Sequence, residues 1–443
     1  MQIKRRERDS VLQSLQSGLV PRQGLHLIQV GRKAETEALL QDISRIRDGG
    51  SSFRFVVGRF GSGKSFFLNL VRHVALQQNV VVVQADFTME RRLQASGGEA
   101  RALYSELIRN MATRAKPEGG ALTSVCTKWI SGLQQEILDA GGTTEMVEER
   151  ISSDLRDMQD FVGGFEFAQV LRAYYRGTVS HDEALKAAAL RWLRGEYTTK
   201  TEAREELGVR RIIDDDTFYD SLKLMASFCR KAGFDGMLVL FDELVVLSHR
   251  LPSSRSRVAN FEMILTILND AVQGNAQDIG FVFAGTDESL EDRRRGLFSY
   301  EALRSRLAEN QLATPGLVDL SGPVVRLQAL SPEDLFVLLR NISIVHASGD
   351  EAARVVPDEG IAALLHKASQ TLGAAFFRTP RDVIRSFVGL LNLIDQNPGK
   401  TWQEIVGMEG VLAKPASPQS VEEELAVNPA GESPEDDLAE FKL

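Results

Sequence analysis

Residues 58–65 read GRFGSGKS and match the pattern G-x-x-x-x-G-K-[ST]. Three glycines in this stretch favour a tight loop, because glycine adopts backbone conformations that other residues avoid. An apolar run at 53–57 precedes the loop and a helical pattern at 66–75 follows it. Strand, loop and helix in this order form the context in which the pattern builds a phosphate-binding loop. We therefore expect a sheet with helices packed against it.

Four further apolar segments indicate that this sheet has five strands. They span residues 80–85, 237–241, 279–284 and 324–327. The first is rich in β-branched residues and continuously apolar, as is typical of a strand buried on both faces of a parallel sheet. Helical sequence separates the segments, so we predict an α/β fold with a doubly wound, five-stranded parallel sheet.

The length of 443 residues predicts two or three domains. We assign residues 1–48 to an N-terminal helical leader, 49–328 to the P-loop domain and 329–408 to a C-terminal all-α domain. Residues 88–235 have helical periodicity without a good strand, so we predict a long helical insertion after the second strand. Residues 409–443 are rich in Pro, Ala, Ser and acids, a composition typical of a disordered tail.

The composition is that of a globular protein without a membrane span. Hydrophobic residues make up 43% of the chain and charged residues 26%, which suffices for a large core. Cys126 and Cys229 are isolated, so we expect them to be reduced and packed. The charged N-terminus has no signal-peptide pattern, and no apolar run approaches the ~20 residues that span a bilayer. We expect a cytoplasmic location.

The formal net charge of −9 argues against a general polyanion-binding protein. Two short basic runs, KRR at 4–6 and RRR at 293–295, nevertheless stand out. Such runs are usually solvated faces, and contact with nucleic acid is the alternative.

The glycine-rich loop predicts a site for ATP and Mg²⁺. Its backbone N–H groups would surround the phosphates, and the N-terminus of the next helix would point at the same anion. Lys64 would reach the β- and γ-phosphates, and the Ser65 hydroxyl would hold Mg²⁺. The predicted nucleotide-binding residues of this segment are Gly58, Arg59, Phe60, Gly61, Ser62, Gly63, Lys64, Ser65 and Phe66.

The third strand delivers two acids at its end, Asp242 and Glu243. Asp242 would hold Mg²⁺ through water, and Glu243 would polarise the attacking water as a general base. Many strands end in acids, so the pair is informative only together with the glycine-rich loop. Adjacent acids favour hydrolysis over phosphoryl transfer to a small metabolite.

Four further residues are candidates with open alternatives. Thr286, after the fourth strand, would position the water or sense the γ-phosphate, or else cap a helix. Arg304 and Arg306 would reach the γ-phosphate of a neighbouring subunit, or else lie on the surface. Arg381 would reach the nucleotide from the C-terminal domain, or else start a solvated helix.

The order of these parts resembles the AAA+ ATPases, nearest the initiator and loader branch. Gly31 and Arg32 resemble the box ahead of the P-loop that touches adenine. Thr286 matches the position called sensor 1, and Arg381 matches the lid arginine called sensor 2. The resemblance implies that the C-terminal helical domain is a lid and that the protein is a homo-oligomer with an arginine finger supplied in trans.

The chain more closely resembles the ATP-binding protein family of BREX anti-phage systems (BrxD-like). This resemblance rests on residues 12–32 (LQSLQSGLVPRQGLHLIQVGR), 191–196 (RWLRGE), 233–244 (GFDGMLVLFDEL), 283–287 (FAGTD), 300–307 and 379–385. It implies an ATPase of a defence system that accompanies a helicase. A similar ATPase of the Shango defence system accompanies a TerB-domain protein and a helicase.

The sequence supports three hypotheses for the function. The first is an oligomeric defence ATPase acting on or near DNA with a helicase partner. The second is a nucleotide-gated loader or switch, and the third is a scaffold that has lost turnover, against which the intact acidic pair argues. Separately, residues 436–443 (DDLAEFKL) would either dock a partner or serve as a solubilising tail.

Overall fold

The computed structural model describes residues 3–21, 23–143, 145–308, 319–372 and 380–407. The chain divides into two compact units. The larger is Val20–Leu330, and the smaller combines Met1–Leu19 with Ser331–Leu443. The predicted leader, residues 1–48, is thus divided between the two units. The predicted acidic tail, residues 409–443, lies outside the described residues.

The larger unit contains one sheet of five parallel strands. The strands are β1 (Ser51–Val57), β2 (Val81–Asp86), β3 (Met237–Asp242), β4 (Ile279–Gly285) and β5 (Val324–Arg326). Their order across the sheet is β2-β3-β4-β1-β5. The prediction of an α/β fold with five parallel strands is confirmed.

The three central strands β1, β3 and β4 are buried at every residue, because helices cover both faces of the sheet. Successive side chains point to opposite faces. On one face the rings of Phe55, Phe241 and Phe283 pack together, with centroids 4.8 Å apart for Phe241–Phe283 and 5.4 Å for Phe55–Phe283. On the other face Val56 and Val282 belong to a separate apolar cluster. The continuous apolar pattern of these strands reflects burial on both sides.

Helices fill the remainder of the larger unit. They are α2 (Leu25–Ile28), α3 (Lys33–Arg47), α4 (Lys64–Gln77), α5 (Glu99–Arg109), α6 (Leu122–Asp139), α7 (Glu145–Asp154), α8 (Gly164–Val179), α9 (Glu183–Leu193), α10 (Lys200–Leu207), α11 (Phe218–Lys231), α12 (Ser254–Gln273), α13 (Asp287–Glu291) and α14 (Glu301–Leu307). A π-helical turn, Val246–Arg250, lies between β3 and α12.

Helices α5 to α11 lie between β2 and β3, where the sequence predicts a helical insertion. Buried aromatic residues hold this insertion together. The indole N–H of Trp129 donates to Asp154 Oδ2 at 3.0 Å, and that of Trp192 donates to the Arg211 carbonyl at 2.9 Å. Cys126 is fully buried, and this burial raises the pKa of its thiol to about 12, in keeping with the expected packed and reduced state.

The smaller unit is helical in its described part. Its helices are α1 (Arg5–Gln16), α15 (Pro332–His346), α16 (Asp358–Leu372), α17 (Pro380–Gln396) and α18 (Trp402–Gly407). Helix α1 packs against α15 and α17, which explains why the first residues of the chain belong to this unit. Helix α15 begins with a capping box between Ser331 and Asp334. In the described part of the chain, every helix is too short or too polar to cross a membrane.

A buried ion pair connects α3 to the central strand β1. Arg54 Nε donates to Asp42 Oδ2 at 2.6 Å and Arg54 Nη2 donates to Asp42 Oδ1 at 3.1 Å. Arg54 Nη1 also donates to the carbonyls of Leu320 and Gly322, ahead of β5. The guanidinium therefore joins α3, β1 and the segment that leads into β5.

We expect Asp42→Ala to destabilise the larger unit by about 3–5 kcal/mol, because it leaves the Arg54 guanidinium buried without a carboxylate. The matched control is Asp235→Ala, which removes the half-exposed pair with Arg47 (3.3 Å) and should cost at most about 1 kcal/mol. Differential scanning calorimetry of both variants measures the difference. Equal melting temperatures for the two variants would contradict the structural role of the buried pair.

Candidate active site

Three predicted segments meet at the carboxyl edge of the sheet. The loop that starts at Gly58 follows β1, Asp242 ends β3, and Thr286 follows β4. Strand β4 lies between β3 and β1, so the three chain segments are neighbours there. Ligands of open parallel sheets bind at this edge.

Glycines shape the loop between β1 and α4. Gly61 and Gly63 have φ values of 73° and 92°, in the left-handed region that favours glycine. At Gly58 an added Cβ would lie 2.8 Å from Ser62 Oγ and 3.1 Å from the Leu327 carbonyl oxygen. A side chain at position 58 would therefore push the loop away from the segment after β5.

The loop presents unused hydrogen-bond donors. Among the described residues, no acceptor takes up the backbone N–H groups of Gly61, Gly63, Lys64 and Ser65. Ser62 Oγ is buried, and it too has no partner among them. Helix α4 begins here without a side-chain cap, so its partial positive charge adds to these donors. The arrangement suits a phosphate group.

Lys64 lies folded onto the loop. Its Nζ donates to the carbonyls of Gly58 at 2.8 Å and Arg59 at 3.0 Å. Burial lowers the pKa of the Lys64 ammonium, and the carboxylates of Asp242 and Glu243 oppose that shift. These two carbonyls are neutral, and among the described residues no carboxylate pairs with the Lys64 ammonium at hydrogen-bond distance. A phosphate can therefore replace the carbonyls as its acceptor.

Other residues of the predicted loop segment differ in exposure. Arg59 and Phe60 are exposed, whereas Phe66 is half-buried in the first turn of α4. The exposed rim of the loop thus carries one cationic and one aromatic side chain, while Ser62 is buried beneath it.

A hydrogen bond joins the two predicted magnesium ligands. Ser65 Oγ donates to Asp242 Oδ2 at 2.8 Å, and the backbone N–H of Glu243 donates to Asp242 Oδ1 at 2.8 Å. A hydroxyl and a carboxylate are oxygen ligands of the kind that Mg²⁺ takes beside nucleotide phosphates. The residues present therefore fit a Mg²⁺–ATP complex.

Glu243 has an unusual backbone. Its φ is 62°, in the left-handed region that non-glycine residues seldom occupy. Partial desolvation raises the pKa of its carboxyl, and the neighbouring carboxylates of Asp242 and Asp86 raise it further. A raised pKa makes the carboxylate a stronger base.

Asp86 is a residue of this edge that sequence reasoning missed. It ends β2 and lies in register beside Asp242 on β3. Partial desolvation and then Asp242 raise the pKa of its carboxyl. An acid at the end of the second predicted strand was visible in the sequence, but its proximity required the strand order.

Arg32 lies against the loop. Its guanidinium contacts Glu35 Oε1 at 3.3 Å, the Ser62 carbonyl at 3.3 Å and the Gln328 carbonyl. Gly31 and Arg32 both have φ values of 60°. The structure thus places Gly31 and Arg32 beside the loop. The contact of these two residues with adenine stays a prediction.

Thr286 caps α13. Its Oγ1 accepts the backbone N–H of Ser289 at 3.2 Å, as the N-cap alternative predicts. The next residue, Asp287, pairs with Arg326 of β5 at 3.1 Å, and Arg326 also pairs with Glu291. Sequence reasoning missed Arg326. Its acidic partners lie in α13, which follows β4, so the pairing depends on how the strands are arranged in the sheet.

The structure does not place the predicted arginine fingers on the loop. Arg304 pairs with Glu301 at 2.6 Å, and Arg306 donates to Asn269 Oδ1 at 3.1 Å and to the Ala302 carbonyl. Arg381 is exposed at the start of α17, in the smaller unit. The roles of all three arginines stay predictions.

The family model described as BREX system ATP-binding protein BrxC/D matches residues 3–409. The chain belongs to this family. The match covers described parts of both units, including the loop and the acidic pair. Family membership indicates a nucleotide-binding protein of phage defence. A search of curated proteins found no match.

We expect Gly58→Ala to lower ATP affinity at least about tenfold, because its Cβ meets Ser62 Oγ and the Leu327 backbone. Titration with a fluorescent ATP analogue measures the affinity. Gly132→Ala is the control, since a Cβ there meets no atom within 4 Å and lies in α6. Equal affinities for the two variants would show that the loop tolerates a side chain at position 58.

Proposed function

We propose that this BREX-family protein hydrolyses Mg²⁺–ATP at the edge where β1, β3 and β4 end. The observation that carries the proposal is the 2.8 Å contact between Ser65 and Asp242. It joins the phosphate-binding loop to the end of β3 and brings Glu243 to the same place. Family membership supports ATP binding, and the acidic pair supports turnover.

Each residue of the site has a role in the proposal. The free N–H groups of the loop and the ammonium of Lys64 bind the phosphates. Ser65 and Asp242 hold Mg²⁺, which when bound offsets the negative charge of the phosphates. Glu243 accepts a proton from the attacking water, and its raised pKa suits that role.

Hydrolysis is favoured over phosphoryl transfer by the position of Glu243. Glu243 directly follows Asp242, and its carboxylate interacts electrostatically with Lys64 of the loop. It would therefore lie near the bound phosphates and accept a proton from water. Thr286, held by its bond to Ser289, would orient that water or sense the γ-phosphate. Gly31 and Arg32 would lie beside the adenine.

The wider role follows from the family and from the resemblance to AAA+ ATPases. We propose a cytoplasmic homo-oligomer in which Arg304 or Arg306 reaches the γ-phosphate of a neighbouring subunit. Arg381 would act from the smaller unit as the lid arginine. Within an anti-phage system, the protein would work on DNA with a helicase partner and a TerB-type protein.

Two substitutions separate ATP binding from ATP hydrolysis. We expect Lys64→Ala to weaken ATP binding at least about tenfold, because it removes the ammonium group that lies on the loop. We expect Glu243→Gln to bind ATP normally and to lose turnover by about 10²–10⁴-fold, because an amide cannot accept the proton. Nucleotide titration and phosphate release measure the two effects.

The control for Glu243→Gln is Glu262→Gln, an exposed position on α12 that should retain full turnover. Full turnover by Glu243→Gln would remove this residue from the mechanism. Normal binding and turnover by Lys64→Ala would overturn the proposed site as a whole.

A mixing experiment tests whether subunits share the site. We expect turnover per subunit to rise with protein concentration. Arg306→Ala protein added to wild type should depress the rate by more than dilution, because an arginine supplied in trans stabilises the transition state. Arg304→Ala is tested in parallel, and the finger is the arginine whose variant depresses the rate. Strictly additive rates in both mixtures would exclude a shared site.

A further inference from the structure

Four arginines form an exposed basic surface beside the candidate active site. Arg250 ends the π-helical turn after β3, and Arg293, Arg294 and Arg295 form a turn after α13. All four side chains are exposed. Within the described ranges, none of the four forms an ion pair with a carboxylate. We call these four residues the arginine surface.

Hydrogen bonds hold the two segments of the arginine surface together. His249 Nε2 lies 3.1 Å from Asp292 Oδ2, and His249 Nδ1 lies 2.8 Å from Ser248 Oγ. The other oxygen of Asp292 accepts the backbone N–H of Arg294 at 2.7 Å. The carboxylate of Asp292 is thereby engaged with His249 and the backbone. The four guanidinium groups are left to solvent.

Most of the net negative charge of the chain comes from its last 29 residues and not from the residues around the arginine surface. Residues 415–443 contain eight acids and one lysine, which accounts for seven of the nine net negative charges. Residues 1–414 are therefore close to neutral, so a local cluster of four cations dominates its surroundings. Near the surface, Glu288 is an exposed acid, Glu291 pairs with Arg326 and Asp292 is paired as described. The carboxylate of Glu243 also interacts with Arg250, although the two form no ion pair within 4 Å.

The surroundings favour a phosphate backbone over a peptide. Among the described residues of 243–258 and 286–308, Val258 is the one large hydrophobic residue that is exposed, and a single valine offers little apolar area. Protein docking sites usually need an apolar anchor, whereas binding to a phosphate backbone needs only positive charge. Guanidinium groups also match phosphate oxygens with two parallel hydrogen bonds.

We propose that the arginine surface binds the phosphate backbone of a nucleic acid without reading its sequence. The proposal deepens the action on DNA proposed above and rests on it. Arg250 lies on the same short segment as Glu243, whose carbonyl accepts the N–H of Val246 at the start of the π-helical turn. Nucleic acid bound at Arg250 therefore contacts the segment that carries the proposed base.

The test uses the full-length protein and labelled oligonucleotides of arbitrary sequence, single-stranded and duplex, in fluorescence anisotropy. The variants are the triple substitution Arg293→Ala, Arg294→Ala, Arg295→Ala and the single substitution Arg250→Ala. The control is the triple substitution Lys4→Ala, Arg5→Ala, Arg6→Ala, which removes the same charge from an exposed basic run of the smaller unit.

We expect wild type to bind, the 293–295 variant to bind at least about tenfold more weakly and the control to change less than about twofold. The slope of log affinity against log salt should fall by about one for each arginine removed. Arg250→Ala should show a smaller loss of the same kind. The single-stranded and duplex probes identify which nucleic acid is the ligand.

Several outcomes would overturn the proposal. They are no binding by wild type to either probe, unchanged binding by the 293–295 variant, and equal losses in that variant and the control. Tighter binding of polyglutamate than of DNA would assign the surface to an acidic protein instead. Phosphate release without DNA is measured on the same samples, so failure of the arginine surface is distinguished from failure of the proposed ATPase.

Discussion

The hydrogen bond between Ser65 and Asp242 is the contact on which the candidate site depends. It joins the first turn of α4 to the end of β3, although 177 residues separate its partners. The long helical insertion between β2 and β3 lies within this separation, and the parallel sheet brings the two ends back to one edge. Without the order β3-β4-β1, the glycine-rich loop and the proposed base would belong to different surfaces.

The surrounding structure holds this edge in place by polar contacts. Arg54 fixes β1 to α3 and to the segment before β5, while Arg32 fixes the start of α3 to the loop at Ser62. Arg326 joins β5 to the helix after β4 through Asp287. Arg54 is buried and the other two arginines are partly buried, and carboxylates and carbonyls engage all three guanidinium groups. The arginines around the loop are paired, whereas several backbone N–H groups of the loop have no acceptor among the described residues. Such free donors are what a phosphate-binding site requires.

Much of this arrangement is predictable from sequence. The strands were visible because burial on both faces demands continuous apolar runs, and the glycine-rich loop was visible because its backbone conformations demand glycine. The positions of Asp86 and Arg326 were not predictable, since their importance depends on which strands are neighbours. The left-handed backbone of Glu243 and the hydrogen bond from His249 to Asp292 likewise arise from tertiary packing, which a local pattern does not encode.

We propose that this edge of the sheet turns over ATP with Mg²⁺. The most direct measurement is phosphate release by the purified wild-type protein at saturating ATP, with Mg²⁺ and with excess chelator. We expect steady release with Mg²⁺ that stops when the chelator is added and resumes when Mg²⁺ is restored. Bound nucleotide without phosphate release at any protein concentration, or release that ignores the chelator, would contradict it.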